Sequence, residues 1–354
     1  MYGPGEVKSE IRPDPQILTP GDAIIRVVAA CVCGSDLWGY RGIDEVDEPR
    51  RMGHEAIGVV TEVGAEVHNA KPGDFVILPF SLSCGKCQAC RHGVDASCDH
   101  CAFFDSDDAA GRESQGGCQS SMLRVPDLAD HTMVPVGLSE AEIKKRGLLP
   151  DLLTLSDVMC TGYHAAVSAQ VGPDDVVAVV GDGAVGLCAI IAAKLLGAKR
   201  IIAMSRHEDR AALAREFGAT DVVPERGEAA VAAIKKLLDG DLVDAALECV
   251  GTKESMEQAI DITRGGGRVG YVGVPHGGSE LDLWKLFGRN ITVGGGMASA
   301  RDYIPKLLPL VLNGEIHPGK VFDLTLPLSE VAEAYAAMDH RTAIKVMLIP
   351  DKTD

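Results

Sequence analysis

The stretch Val176–Gly186 restricts this chain more than any other. Val176-Val177-Ala178-Val179-Val180 is a continuous apolar run, the composition of a parallel strand covered on both faces. Gly181-Asp182-Gly183-Ala184-Val185-Gly186 follows at once, and Leu187 to Leu196 continues as an apolar helix that stops at Gly197. A strand, a glycine turn and a helix in that order make the opening of a dinucleotide-binding fold. Gly181 permits the tight turn, Gly183 lets backbone approach a pyrophosphate, and Gly186 lets helix pack on strand. The helix N-terminus at Ala184 and Val185 then offers unpaired N–H groups to the anion.

Alternation continues downstream. Strands are predicted at 201–204, 221–223, 243–247, 268–273 and 291–294, with helices at 208–217, 228–238 and 254–263 between them. This is the pattern of a doubly wound parallel sheet. An NAD site places an acid at the end of the second strand, about twenty residues beyond the glycines. Here Met204-Ser205-Arg206-His207 occupies that position. A hydroxyl at Ser205 and a guanidinium at Arg206 suit a 2′-phosphate, so NADP(H) is expected ahead of NAD(H), with Glu208 as the residue that keeps NAD open.

The opening of the chain reads differently. Ile24 to Val28, Ala56 to Val63 and Phe75 to Leu78 are strand-like, and Lys71-Pro72-Gly73-Asp74 is a turn. Roughly the first 80 residues are therefore expected to be β-rich, with a first strand missing or very short. Cys84, Cys87, Cys90 and Cys98 then supply four thiolates at the spacing of a closed structural zinc site, with Cys101 an alternative to Cys98. A soft thiolate, an imidazole and carboxylates also lie close in Cys33-Gly34-Ser35-Asp36-Leu37-Trp38 and Gly53-His54-Glu55. A catalytic zinc takes three protein ligands and keeps one position open, so this span calls for a third ligand from elsewhere. One helix is predicted from about Leu152 through Ala169. A further helix at 301–313, a strand near Phe322, a helix at 329–338 and a strand Ile344 to Ile349 close the chain.

With 354 residues the chain exceeds one ordinary core, so two domains are expected. A net charge of −17 disfavours nucleic acid and anionic membranes as partners. No apolar run reaches the roughly 18 residues of a membrane span. Eleven cysteines behind a start without a leader pattern point to metal and thiol chemistry in the cytoplasm.

Together these motifs resemble the zinc-dependent alcohol dehydrogenases of the medium-chain dehydrogenase/reductase superfamily. The resemblance rests on Cys33–Asp36, Gly53–Glu55, the four-cysteine loop, the Gly181–Gly186 run and Lys345, in that order. It implies a GroES-like β-rich catalytic domain over 1–158, a Rossmann coenzyme domain over 159–296 and a return to the catalytic domain over 297–354. It also implies two zincs per chain and a homodimer or homotetramer joined near 291–294. Asp157 falls at the position of the third zinc ligand, with Cys160 three residues late. By the same resemblance Asp36 orients His54, Glu55 lies under the zinc, and Ser35 meets the substrate oxygen. Trp38 replaces a relay histidine found in many relatives and walls the substrate pocket, which the 101–117 loop also shapes. Thr161, Val250 beside Cys249 and Gly251, and Val272-Gly273-Val274 would hold the nicotinamide end, and Lys345 would reach the pyrophosphate. The implied reaction interconverts an alcohol with an aldehyde or ketone by hydride transfer. An NAD-dependent polyol, formaldehyde or amino-alcohol dehydrogenase is the near alternative. A zinc-ribbon nucleic-acid module is the distant one, and the acidic charge opposes it.

Overall fold

The computed structural model describes residues 1–46, 49–105, 116–275 and 281–351. The chain divides into two compact units, Met1–Asp157 with Ser299–Asp354, and Val158–Ala298.

The first unit is built on the strand Ala23–Cys31, whose residues are buried except Arg26. It pairs antiparallel with Ala56–Val63, Met122–Val125 and Lys345–Ile349. The seven-stranded sheet runs Phe322–Pro327, Lys345–Ile349, Ala23–Cys31, Ala56–Val63, Phe75–Leu78, Val134–Pro135, with Met122–Val125 added on Ala23–Cys31. Ile25, Val27, Val60, Val76, Leu78 and Leu123 fill its core. The expected shortage at the start is visible: ahead of Ala23, the described residues hold only an isolated bridge between Gly3 and Glu6. The β-rich reading omitted a short helix, Asp36–Tyr40.

The single helix expected from Leu152 to Ala169 is instead two, Leu149–Thr154 and Val158–Ser168. The side chains between them explain the break. Thr154 Oγ1 donates to the Asp151 carbonyl and Ser156 Oγ to the Leu153 carbonyl, each at 2.6 Å. Hydroxyls that bond back to the preceding turn compete with helix propagation. The break leaves Asp157 outside regular structure, at the end of the first segment of its unit.

The second unit is a six-stranded parallel sheet in the order Asp221–Val222, Arg200–Met204, Val176–Val180, Val243–Glu248, Thr263–Tyr271, Thr292–Gly295. Chain order reverses between Val176–Val180 and Val243–Glu248, the switch point where such sheets bind ligands beyond their strand ends. The strand expected at 268–273 starts earlier, at Thr263. Within the 101–117 loop, residues 106–115 lie outside the described residues. No described helix is long and apolar enough to cross a membrane.

Candidate active site and metal centres

Three loops of the first unit converge on one cluster. Cys33 leaves the central strand just before the turn into Asp36–Tyr40, and its carbonyl accepts from the Asp36 N–H at 3.2 Å. Ala30 pairs with Ala56, so His54 and Glu55 enter the neighbouring strand at the end where Cys33 departs. Asp157 arrives from the break between helices. Donor atoms of Cys33, His54, Glu55 and Asp157 all lie within 4.8 Å of one another.

Spacing and chemistry both fit zinc. Bonds of about 2.0–2.3 Å around a tetrahedral ion put donor atoms roughly 3.3–3.8 Å apart. Cys33 Sγ is 3.7 Å from Asp157 Oδ2, and His54 Nε2 is 3.7 Å from the same oxygen. Burial pushes the Cys33 thiol up, and the Glu55 charge adds to it. Burial opposes a charged His54. Cys33, then Asp105 and Asp157, outweigh it and hold the ring well above its ordinary value. A pocket this rich in anionic groups favours a bound cation.

Behind the donors stand two carboxylates. His54 Nδ1 faces Asp36 Oδ1 at 3.7 Å and Asp105 Oδ2 at 3.6 Å. Burial raises Asp36 to about 6. Sequence reading had named Asp36 alone; Asp105 carried no motif. Ser35 begins the short helix with no side-chain cap bond, and Trp38, half-buried, donates its backbone N–H to the Ser35 carbonyl at 3.1 Å.

Lys345 requires a correction. It was expected to reach a pyrophosphate, yet its side chain is sealed in the first unit. Nζ lies 2.7 Å from Glu55 Oε1 and 3.2 Å from the Val32 carbonyl. An ammonium this deeply buried needs a paired anion, and Glu55 supplies it.

The four-cysteine loop forms a second cluster of Cys84, Cys87, Cys90 and Cys98, without Cys101. None of the eleven cysteines forms a disulfide. Backbone N–H groups point at the sulfurs: Lys86 and Cys87 to Cys84 at 3.4 Å, Cys84 and His100 to Cys98 at 3.3 Å. Such donors favour thiolate, and the backbone N–H of Cys90 leads the causes that lower Cys87 to about 6.

In the second unit the glycine run adopts the geometry its spacing implies. Gly181 has φ +116°, and a Cβ on Gly186 would lie 2.0 Å from the Gly181 carbonyl oxygen. A Cβ on Gly183 would meet nothing within 4 Å. That open space lies before the helix Ala184–Leu195, which begins at Gly183 with no capping side chain. An anionic pyrophosphate fits there. Val250 and Val274 are exposed and Val272 is buried. The loops bearing them are tied by Glu248, a residue sequence reading missed: its Oε1 accepts from the N–H of Val250 and of Gly251 at 2.8 Å each, and its carbonyl from Val272. The available signal was an acid closing an apolar strand just before Cys249-Val250-Gly251. Ser205 also departs from expectation. It is buried and donates to Asp182 Oδ2 at 2.7 Å, so its hydroxyl braces the glycine loop and only Arg206 is presented outward. Thr161 lies half-buried in the helix Val158–Ser168.

A β-rich unit with a thiol–imidazole–carboxylate cluster, in one chain with a parallel sheet whose first strand leads through a glycine turn into a helix, defines the class: a two-domain dehydrogenase. Residues 19–136 match the family "Alcohol dehydrogenase GroES-like domain" and 184–313 match "Zinc-binding dehydrogenase". A probable zinc-binding alcohol dehydrogenase of Mycobacterium tuberculosis is 34% identical, over 99% of this chain and 88% of that protein. A glutathione-independent formaldehyde dehydrogenase of Bacillus subtilis is 31% identical, over 93% and 87%. The solved alcohol dehydrogenase TADH from Thermus sp. ATN1 superposes with a TM-score of 0.88 at 30% identity, covering 99% of both chains. The chain belongs to the zinc-dependent alcohol dehydrogenases of the medium-chain dehydrogenase/reductase superfamily.

Proposed function

We propose that this oxidoreductase interconverts an alcohol and its aldehyde or ketone, using NADP(H) in preference to NAD(H). The convergence of Cys33, His54 and Asp157, with donor atoms within 4.8 Å of one another, carries the reading. Those three residues would hold the catalytic metal, and Cys84, Cys87, Cys90 and Cys98 a structural zinc. Zinc in the first site supplies Lewis acidity that lowers the pKa of a substrate hydroxyl. Asp36 keeps the His54 ring turned so that Nε2 faces the ligand cluster. Ser35 Oγ would hydrogen-bond the substrate hydroxyl and, giving its own proton onward as it accepts that one, start the proton's exit through the cofactor ribose; a bound nicotinamide would supply the hydride acceptor. Trp38 offers no acid–base group to pass that proton on, and its indole is suited to line the substrate pocket.

NADP preference rests on arginines at the end of the strand Arg200–Met204. Arg206 is exposed there. Arg226 donates to the Met204 carbonyl at 3.0 Å; burial, then the nearby charge of Arg206, lowers its pKa. Two guanidiniums brought together favour a doubly charged phosphate. The second reading, an NAD-dependent formaldehyde or polyol dehydrogenase, is favoured by the withdrawal of the Ser205 hydroxyl into the glycine loop. Metal analysis of the purified chain, followed by NADPH and NADH absorbance with a panel of aldehydes, ketones and alcohols, tests both. Turnover with neither cofactor in a zinc-loaded sample overturns the enzyme reading, and NADH-only turnover decides for the second.

A further inference from the structure

Beyond Asp36, hydrogen bonds continue outward through two residues with no assigned role. Gln119 Nε2 donates to Asp36 Oδ2 at 3.0 Å and to the Cys31 carbonyl at 3.2 Å. Its Oε1 accepts from the Tyr335 hydroxyl at 3.0 Å. A carboxylate and a carbonyl on one side can be served only by the amide NH2, and a hydroxyl donor on the other fixes the oxygen opposite. The amide therefore has one satisfied orientation. Asp36 Oδ2 also accepts from the Cys33 N–H at 2.9 Å, which leaves Oδ1 facing His54.

Both outer residues are held in place. Gln119 N–H donates to the Met52 carbonyl at 3.0 Å and Cys118 N–H to the Gly53 carbonyl at 2.7 Å, which lays this segment against the approach to His54. Gly53 makes room for it: a Cβ there, at φ +95°, would lie 2.6 Å from Gln119 Cγ. Tyr335 is fully buried on the helix Val331–Asp339. Its ring packs against Tyr40, on the helix that Asp36 begins, with centroids 5.4 Å apart.

We propose that Gln119 and Tyr335 are positioning residues for the metal centre, setting the carboxylate of Asp36 and through it the ring of His54. The proposal rests on the reading of Cys33, His54 and Asp157 as zinc ligands. Partners of this kind change metal affinity by about 10- to 100-fold when lost.

The experiment measures zinc affinity by chelator competition on the full chain, with the four-cysteine zinc as internal reference. Gln119→Leu is expected to weaken one of two zincs about tenfold or more, and Tyr335→Phe to weaken the same one by less. Gln119→Leu combined with Asp36→Asn should bind zinc no more weakly than Asp36→Asn alone, because the residues act in series. Unchanged zinc affinity in Gln119→Leu, or additive losses in the double variant, overturns the proposal even if thermal stability falls. If Gln119→Leu does not fold, Tyr335→Phe decides, and full zinc retention there is the overturning result. A wild-type chain whose only zinc is the one held by the four cysteines refutes the underlying metal-centre reading instead.

Discussion

Lys345 Nζ sits 2.7 Å from Glu55 Oε1, and neither side chain reaches solvent. The pair locks the closing strand Lys345–Ile349 to the start of Ala56–Val63, the strand that follows His54. The other carboxylate oxygen, Glu55 Oε2, is buried with no hydrogen-bond partner among the described residues. Glu55 is thus held by Lys345 at one oxygen while it also belongs to the donor cluster of Cys33, His54 and Asp157.

That arrangement predicts an asymmetric response to mutation. Lys345→Met leaves an unpaired buried carboxylate and should cost about 3–5 kcal/mol. Lys345→Met with Glu55→Leu removes both charges and should recover most of the loss. Urea unfolding of the single and double variants checks this; equal destabilisation by the two contradicts it.

Asp157 and Cys160 compete for the role of third ligand on sequence alone. The cluster contains Asp157 and not Cys160, which lies buried in the helix after the break. Asp157→Ala should remove one zinc per chain and lower kcat/KM more than about 100-fold, beyond the loss of an outer-shell partner. Cys160→Ala should keep both zincs. Metal analysis with steady-state kinetics separates them, and the reverse pattern would transfer the ligand to Cys160.

Local chemistry explains which parts of this were legible in the sequence. Alternating strands and helices and the glycine run need only nearby residues, so the doubly wound unit could be read directly. Cys84–Cys98 is a short loop whose spacing itself encodes the site. Asp157 could be named only by resemblance, because its separation from a helix depends on how Thr154 and Ser156 bond backward. Lys345 is assigned to a pyrophosphate by resemblance because nothing near it in sequence shows that Glu55, 290 positions away, faces it. Gln119 and Tyr335 follow no periodicity, and only the folded chain brings their partners near; Glu248 bonds to Val250 and Gly251, two and three positions on, so its role was open to a local reading.

Cofactor preference should follow the two arginines. A charge-assisted hydrogen bond to phosphate contributes about 1.5–3 kcal/mol, so Arg206→Asp should raise KM for NADP roughly ten- to 100-fold. Its effect on NAD should be small or favourable. Arg226→Ala should move NADP in the same direction, because its guanidinium lies near Arg206. Initial rates against both cofactors measure this, and equal losses for NADP and NAD would remove the 2′-phosphate role.

Stability at low pH should be set in part by Asp22, which is fully buried at the mouth of the central strand. Its carboxylate accepts from Arg124 Nε at 2.8 Å, the Asp127 N–H at 2.7 Å, and the Leu18 and Thr19 N–H groups at 2.7 and 2.9 Å. Burial alone would raise its pKa, but Arg124 and these donors outweigh it and hold the group below the ordinary carboxylate value. A pKa depressed by folding means that the unfolded chain binds the proton more readily. The stabilisation is therefore complete above about pH 4, the ordinary range for Asp, and is lost as pH falls through the depressed value. Asp22→Asn abolishes that titration and leaves Arg124 buried without its anion, at a cost of about 3 kcal/mol near neutrality. Unfolding free energies measured from neutral pH down to about 3 should show the gap between wild type and Asp22→Asn shrinking below pH 4. A gap that stays constant across that range would mean that Asp22 does not carry the acid sensitivity.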